Sequence, residues 1–235
     1  MITISDLHKK FGEIQVLKGI DLSIETGVIA ILGPNGSGKT TLNKCILGMV
    51  FPDKGTITVN QQPISKQWEY RKDIDYLPQI ANFPNNITVL ELIKMIKDLR
   101  GESKKDESYL IDLFKLSPFL GKKLNNLSGG TKQKVNLLLT FLFDNPILIL
   151  DEPTTGLDPA ALITLKELIL KEKQKGKIIL VTSHIMSFVE EISDQIIFIL
   201  EGKIYFKGTI QELKDATGQN NFEHAIANIL TDNHA

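Results

Sequence analysis

At 235 residues, the chain is long enough for one large domain or two modest ones, taking about 150 residues per domain as a prior. Apolar residues make up 42% and charged residues 23%, which excludes disordered, collagenous and mucin-like chains. The 27 basic residues against 28 acidic ones leave no overall electrostatic footprint for nucleic acid, and no such partner is expected.

Cys45 stands alone and cannot form an intramolecular disulfide, and the opening Met1-Ile2-Thr3-Ile4-Ser5-Asp6 lacks the basic-then-apolar build of a secretory leader. Both features point to a reducing, cytoplasmic setting. The longest apolar stretch, residues 135–143, is broken by Asn136 and Thr140 and stops at Asp144-Asn145. That falls short of the roughly 20 apolar residues a bilayer-spanning helix needs.

Short β-type runs open the chain: Ile2-Thr3-Ile4, then residues 15–24 around Lys18-Gly19, then the apolar Val28-Ile29-Ala30-Ile31-Leu32. The last reads as a buried strand. It ends in a glycine-rich loop, after which residues 39–47 show helical apolar spacing and Gly48 occupies a C-cap position. Residues 55–60 and 74–77 read as strands, the second ending at Pro78-Gln79. From 88 to 100 and from 106 to 116 apolar residues recur at three and four, and strand signals vanish until Ile147. This middle third, about 84–145, is expected to be a helical subdomain inserted into an α/β core.

A strand at 146–150, a helix at 159–175 closed by Gly176, and strands at 177–182 and 195–200 follow. Asp158 before Pro159 suits an N-cap and first helical residue. Glu201-Gly202 suggests a hairpin into 203–206. The alternation predicts a largely parallel sheet with helices on both faces. The main domain is expected over 1–217, with a short C-terminal tail at 218–235. The tail carries one amphipathic patch, at 222–230, and no legible activity.

Gly33-Pro34-Asn35-Gly36-Ser37-Gly38-Lys39-Thr40 fits the phosphate-loop pattern, and Thr41 continues it into the helix. Glycines let successive N–H groups approach phosphate oxygens, and the helix N-terminus adds a positive dipole end. Lys39 would reach the β- and γ-phosphates and the Thr40 hydroxyl would ligate Mg²⁺. Leu148-Ile149-Leu150-Asp151-Glu152 is an apolar strand ending in two carboxylates, which suits Asp151 to the metal and Glu152 to general-base work on a water. Ser128-Gly129-Gly130 precedes the helical run 132–143 and makes a second anion site. Two phosphate sites in one chain make sense if two chains pair head to tail, each lending its second site to the other's nucleotide.

With these motifs the chain resembles the ATP-binding subunit of an ATP-binding-cassette (ABC) transporter, from near Met1 to about Leu213. The resemblance implies a P-loop cassette fold: a mainly parallel α/β core, an N-terminal antiparallel β subdomain and the inserted helical subdomain. It implies ATP and Mg²⁺ as ligands and hydrolysis of ATP to ADP and phosphate. Phe11 then matches the aromatic that stacks on adenine, and Gln79 the glutamine that touches Mg²⁺ and reports nucleotide state. Ser128-Gly129-Gly130 matches the signature that contacts the opposite subunit's γ-phosphate, Asp158 lies in the loop coupling the two sites, and His184 matches the histidine that hydrogen-bonds the γ-phosphate. Two residues depart from the pattern: Thr131 ends the signature where glutamine is usual, and Lys134 stands where arginine is common.

The resemblance further implies separate integral membrane subunits gripped near residues 79–86, a second copy or paralogous ATPase, and a place on the inner face of the cell membrane. Export is the expected direction, with a lean from residues 127–158 toward the nitrous-oxide-reductase maturation type. A soluble ATPase of the same fold that remodels a cytosolic partner is the alternative, and a non-hydrolysing sensor is disfavoured by the presence of Glu152 and His184.

Overall fold

The computed structural model describes residues 1–66, 68–101 and 105–232; residues 233–235 of the expected tail lie outside them. A six-stranded sheet forms the centre, in the spatial order β10 (Lys203–Gly208), β9 (Gln195–Leu200), β3 (Gly27–Leu32), β8 (Ile178–Thr182), β7 (Ile147–Asp151), β6 (Ile74–Leu77). Neighbours from β9 to β6 run parallel, and β9 to β10 is the foreseen hairpin, with Glu201 and Gly202 both at positive φ. Parallel strands end at one edge, so the segments after β3, β8, β7 and β6 emerge together, the usual place for a ligand site in such sheets.

Every residue of β7 and β8 is buried, so hydropathy alone could not assign side chains to faces. Ile147, Ile149, Ile178 and Leu180 point to one face with Ile29 and Ile31. Leu148, Leu150, Ile179 and Val181 point to the other. There they meet α2 (Val89–Arg100), α3 (Glu107–Leu113), α4 (Gly129–Phe141), α5 (Pro159–Gln174) and α6 (Met186–Ile192).

The first face meets the expectation of helices on both sides with a single helix and adds a second sheet beside it. It is covered by α1 (Lys39–Ile46) together with a four-stranded antiparallel sheet of β2 (Ile14–Ile24), β1 (Ile2–Phe11), β4 (Lys54–Val59) and β5 (Gln62–Pro63). The cause is strand alternation: Ile2, Ile4, Ile20, Leu22, Ile57 and Val59 give this sheet one apolar face, which it buries here. β1 also runs well past Ile4. Asp6, at φ 47, sits where the register with β2 and β4 shifts, and this bulge breaks the alternation that would have marked the rest of the strand.

Three helices were not foreseen as such. α6 is only two turns long, and α7 (Ile210–Thr217) announces itself through a capping box between Thr209 and Glu212. α8 (Phe222–Asp232) takes up the amphipathic patch. Its Phe222, Ala225, Ile226 and Ile229 pack with Leu213 against Ala30, Leu32, Ile196 and Phe198 of the central sheet.

Two polar clusters tie the α2–α4 region to the rest of the fold, one to the sheet and one to α5. Arg100, ending α2, lies 2.8 Å from Asp75 of β6 and stacks 4.2 Å from the Phe143 ring. Asp75 also accepts from the backbone and side-chain nitrogens of Asn145. Lys105 donates to Glu172 at 2.7 Å, and Glu172 pairs with Lys177 as well. No helix among the described residues is long and apolar enough to cross a membrane.

Candidate active site

The loop after β3 is built by two kinds of contact. Gly33, at φ 142, passes so close to the Ile199 carbonyl that any Cβ would collide with it, so this glycine serves the packing of the loop on β9. The Lys39 ammonium then turns back and donates to the carbonyl oxygens of Gly33 at 2.7 Å and Pro34 at 3.0 Å, curling the loop around itself. Burial pushes Lys39 below its usual pKa, against the pull of the Glu152 and Asp151 carboxylates.

α1 starts on Gly38, which has no side chain to cap it and no acidic residue in the first turn. Thr88, Ser128 and Asp158 instead cap α2, α4 and α5 with their side-chain oxygens. The first N–H groups of α1 therefore lack a side-chain cap, and the positive end of its dipole lies at a cleft of about 380 Å³. Asn35, Gly36, Gly38, Lys39, Thr40 and Thr41 line that cleft.

Asp151 and Glu152 enter the same cleft from the end of β7, Gln79 from beyond β6 and His184 from beyond β8. Glu152 is held at φ 50, a left-handed conformation that costs a non-glycine residue about 1–3 kcal/mol and persists only where its surroundings impose it. Its N–H is fixed by the carbonyl and the hydroxyl of Thr182, at 3.1 and 3.0 Å. Its Oε1 lies 3.0 Å from His184 Nε2, a pairing the sequence did not suggest. Phe11, half exposed, lines the same cleft with Ile14 and Val16. These two aliphatic neighbours were also missed, since β2 alternation gives no sign of what lies opposite.

Burial, with help from Asp151, raises Glu152 above the ordinary glutamate range, against His184 and Lys39. A general base works deprotonated. With Glu152 as the general base expected from the sequence, the acid limb of the kcat/KM profile, which reports the free enzyme, is therefore expected above 4.5, the unperturbed glutamate value. Steady-state hydrolysis across the acid range measures it, and a limb at or below that value would place the proton acceptor elsewhere.

The remaining candidates lie apart. Gly129 and Gly130 line a second cleft of about 720 Å³ with Thr155 and Gly156, and Gln79 borders both clefts. Gly130 needs its bare Cα because the Gly156 carbonyl lies against it. Ser128 accepts from the Thr131 N–H at 3.2 Å, so its hydroxyl serves as the α4 cap. Asp158 caps α5 through Ala161 and pairs with Lys134 at 2.6 Å, which gives the lysine departure a local partner. Gly33, Pro34, Ser37, Ser128 and Asp158 line neither cleft.

The family model described as ABC transporter matches residues 17–155. A second, described as AAA domain, putative AbiEii toxin, Type IV TA system, matches residues 123–190. The chain is 34% identical over 240 residues to the L-cystine import ATP-binding protein TcyN of Bacillus subtilis, covering 93% of this chain and 92% of that one. It is 32% identical over 232 residues to the lantibiotic transport ATP-binding protein SrtF of Streptococcus pyogenes, covering 97% and 96%. A solved structure of the ATP-binding subunit of an ABC transporter superposes with a TM-score of 0.89 at 28% identity, covering 97% of this chain and 98% of the other.

Proposed function

Because the chain belongs to the ABC transporter family, whose ATP-binding domains are ATPases, we propose that its first cleft hydrolyses ATP to drive transport by separate membrane subunits. One observation carries this reading. The uncapped start of α1, with Lys39 and Thr40, opens onto the same cleft as Asp151, Glu152, Gln79 and His184. An anion-binding helix end thus faces a metal-binding and proton-accepting carboxylate pair.

In this reading the phosphates lie on the 35–41 backbone, Lys39 exchanges its carbonyl contacts for phosphate oxygens, and Phe11 stacks on the adenine. Thr40, Gln79 and Asp151 bring oxygen donors to one place, a hard-donor set that suits Mg²⁺. Held by these three residues, Mg²⁺ would supply positive charge to offset that of the phosphates. Glu152 takes the proton of the attacking water, and His184 steadies it from 3.0 Å.

Gly129 and Gly130 line the second cleft and not this one, which supports a γ-phosphate contact made by the Ser128-Gly129-Gly130 turn to the nucleotide of a second copy, with Asp158 in the loop between the two sites. Membrane subunits gripping residues 79–86 would hold the chain at the inner face of the membrane. The relatives reported above include an import and a lantibiotic transport subunit. Export therefore rests on the short single-cassette form with Gly156-Leu157-Asp158-Pro159, and the nitrous-oxide-reductase maturation type on residues 127–158.

Purifying the Glu152→Gln variant from its native membrane with ATP present, and identifying its companions by mass spectrometry, tests the transport role. Recovery of a polytopic membrane protein is expected. Recovery of soluble proteins alone would overturn it in favour of an ABC-type ATPase that remodels a cytosolic partner.

A further inference from the structure

β8 lies between the strand that delivers the phosphate loop and the strand that delivers the carboxylates. Its last residue, Thr182, stands level with Ile31 of β3 and Asp151 of β7. The side chain is 1% exposed and touches both carboxylate residues. Its Oγ1 donates to Asp151 Oδ1 at 2.5 Å, and the same oxygen accepts from the Glu152 N–H at 3.0 Å. A hydroxyl has one proton, so donating it to Asp151 leaves its lone pairs free to accept the Glu152 N–H.

Each of these bonds constrains a different part of the site. The first orients the carboxylate placed on the metal, and losing a partner of this outer kind typically costs about 10- to 100-fold in metal affinity or activity. The second helps hold Glu152 in the left-handed conformation at φ 50 that sends its side chain toward His184. His184 itself follows Thr182 by two residues, so one strand end sets the aim of three cleft residues.

We propose that Thr182 is a positioning residue of the hydrolytic site, its hydroxyl locking Asp151 and Glu152 in register for the metal-bound nucleotide. The proposal rests on the nucleotide-site reading above. It assigns Thr182 no contact with substrate: the residue acts through its two neighbours.

The test compares the full-length wild type with Thr182→Val and Thr182→Ser. Valine keeps the shape and β-branching of threonine and deletes the hydroxyl, whereas serine keeps the hydroxyl. Affinity for the fluorescent nucleotide MANT-ATP is read in EDTA and again in Mg²⁺, together with kcat, KM and the Mg²⁺ concentration for half-maximal hydrolysis. For valine, the expected result is unchanged affinity in EDTA, a loss of roughly 10- to 100-fold in kcat, a higher Mg²⁺ requirement and a weaker response of binding to Mg²⁺. Serine is expected to restore most of each.

A valine variant matching wild type in kcat and Mg²⁺ response would overturn the proposal. So would a serine variant as impaired as valine, or a valine variant that no longer binds MANT-ATP in EDTA, because either outcome makes the position purely structural. A wild-type chain that fails to bind MANT-ATP would instead overturn the nucleotide-site reading, and the proposal with it.

Discussion

Replacing Glu152 with glutamine is expected to lower steady-state ATP hydrolysis by about 10²- to 10⁴-fold, the usual contribution of a positioned general base, while ATP binding persists. The substitution is isosteric and leaves the cleft's shape intact. It removes the one group there that combines a raised pKa with a place beside His184. Stability should hold or rise, because a neutral amide replaces a carboxylate that burial disfavours. With turnover blocked, ATP-bound copies are expected to stay paired. Size-exclusion chromatography with ATP should show the variant at twice the monomer mass, and wild type should show less of that species. A variant that keeps wild-type turnover would remove Glu152 from the proton-accepting role.

The second large effect concerns stability. Asp75 is 1% exposed, and burial raises its pKa above the ordinary aspartate value even though Arg100 and Asn145 oppose the rise. Arg100→Ala would leave this carboxylate buried with Asn145 as its hydrogen-bond donor and would strip the cover from the Phe143 ring. Breaking a buried pair from one side typically costs about 3–5 kcal/mol. Arg100 is itself about one-third exposed, at 32%, which favours the lower end of that range. A loss of about 3 kcal/mol corresponds to a fall in Tm of about 6–12 °C in a chain of this size.

The pH dependence of that loss follows from linkage. A carboxylate whose folded pKa lies above its unfolded value binds more protons when folded, so its burden on stability is full at neutral pH and eases as pH falls through the folded value. Removing Arg100 takes away a group that lowers the Asp75 pKa and so pushes the value further up. The Tm gap between variant and wild type should therefore be widest near neutrality and narrow in mild acid. Thermal melts at the two pH values check this, and a gap independent of pH would locate the loss in the Phe143 contact instead.

What could be read directly from residues was whatever depends on local order along the chain. The loop from Gly33 to Gly38 and the helix after it depend on nearby backbone geometry, as do the apolar strand ending in Asp151-Glu152 and the cap at Asp158. Each is visible as a pattern a few residues long. The second glycine turn was legible for the same reason, although Gly130 proves to be needed equally for the approach of the Gly156 carbonyl.

Contacts between distant segments had no such signal. Strands buried on both faces read as unbroken apolar runs, so nothing in Ile147–Asp151 or Ile178–Thr182 showed which side chains face α1 and which face α5. Sheet order is settled by packing across the whole domain, and only that order inserts β8 between β3 and β7. From it come the hydroxyl of Thr182 against two carboxylates and His184 against Glu152, while the packing of α2 beside β6 brings Arg100 against Asp75. The sequence by itself determined the chemistry of the phosphate loop and the acid pair, because each is held in one short segment. The tertiary structure decided how those groups are aimed, because their partners arrive on strands that become neighbours only when the sheet forms.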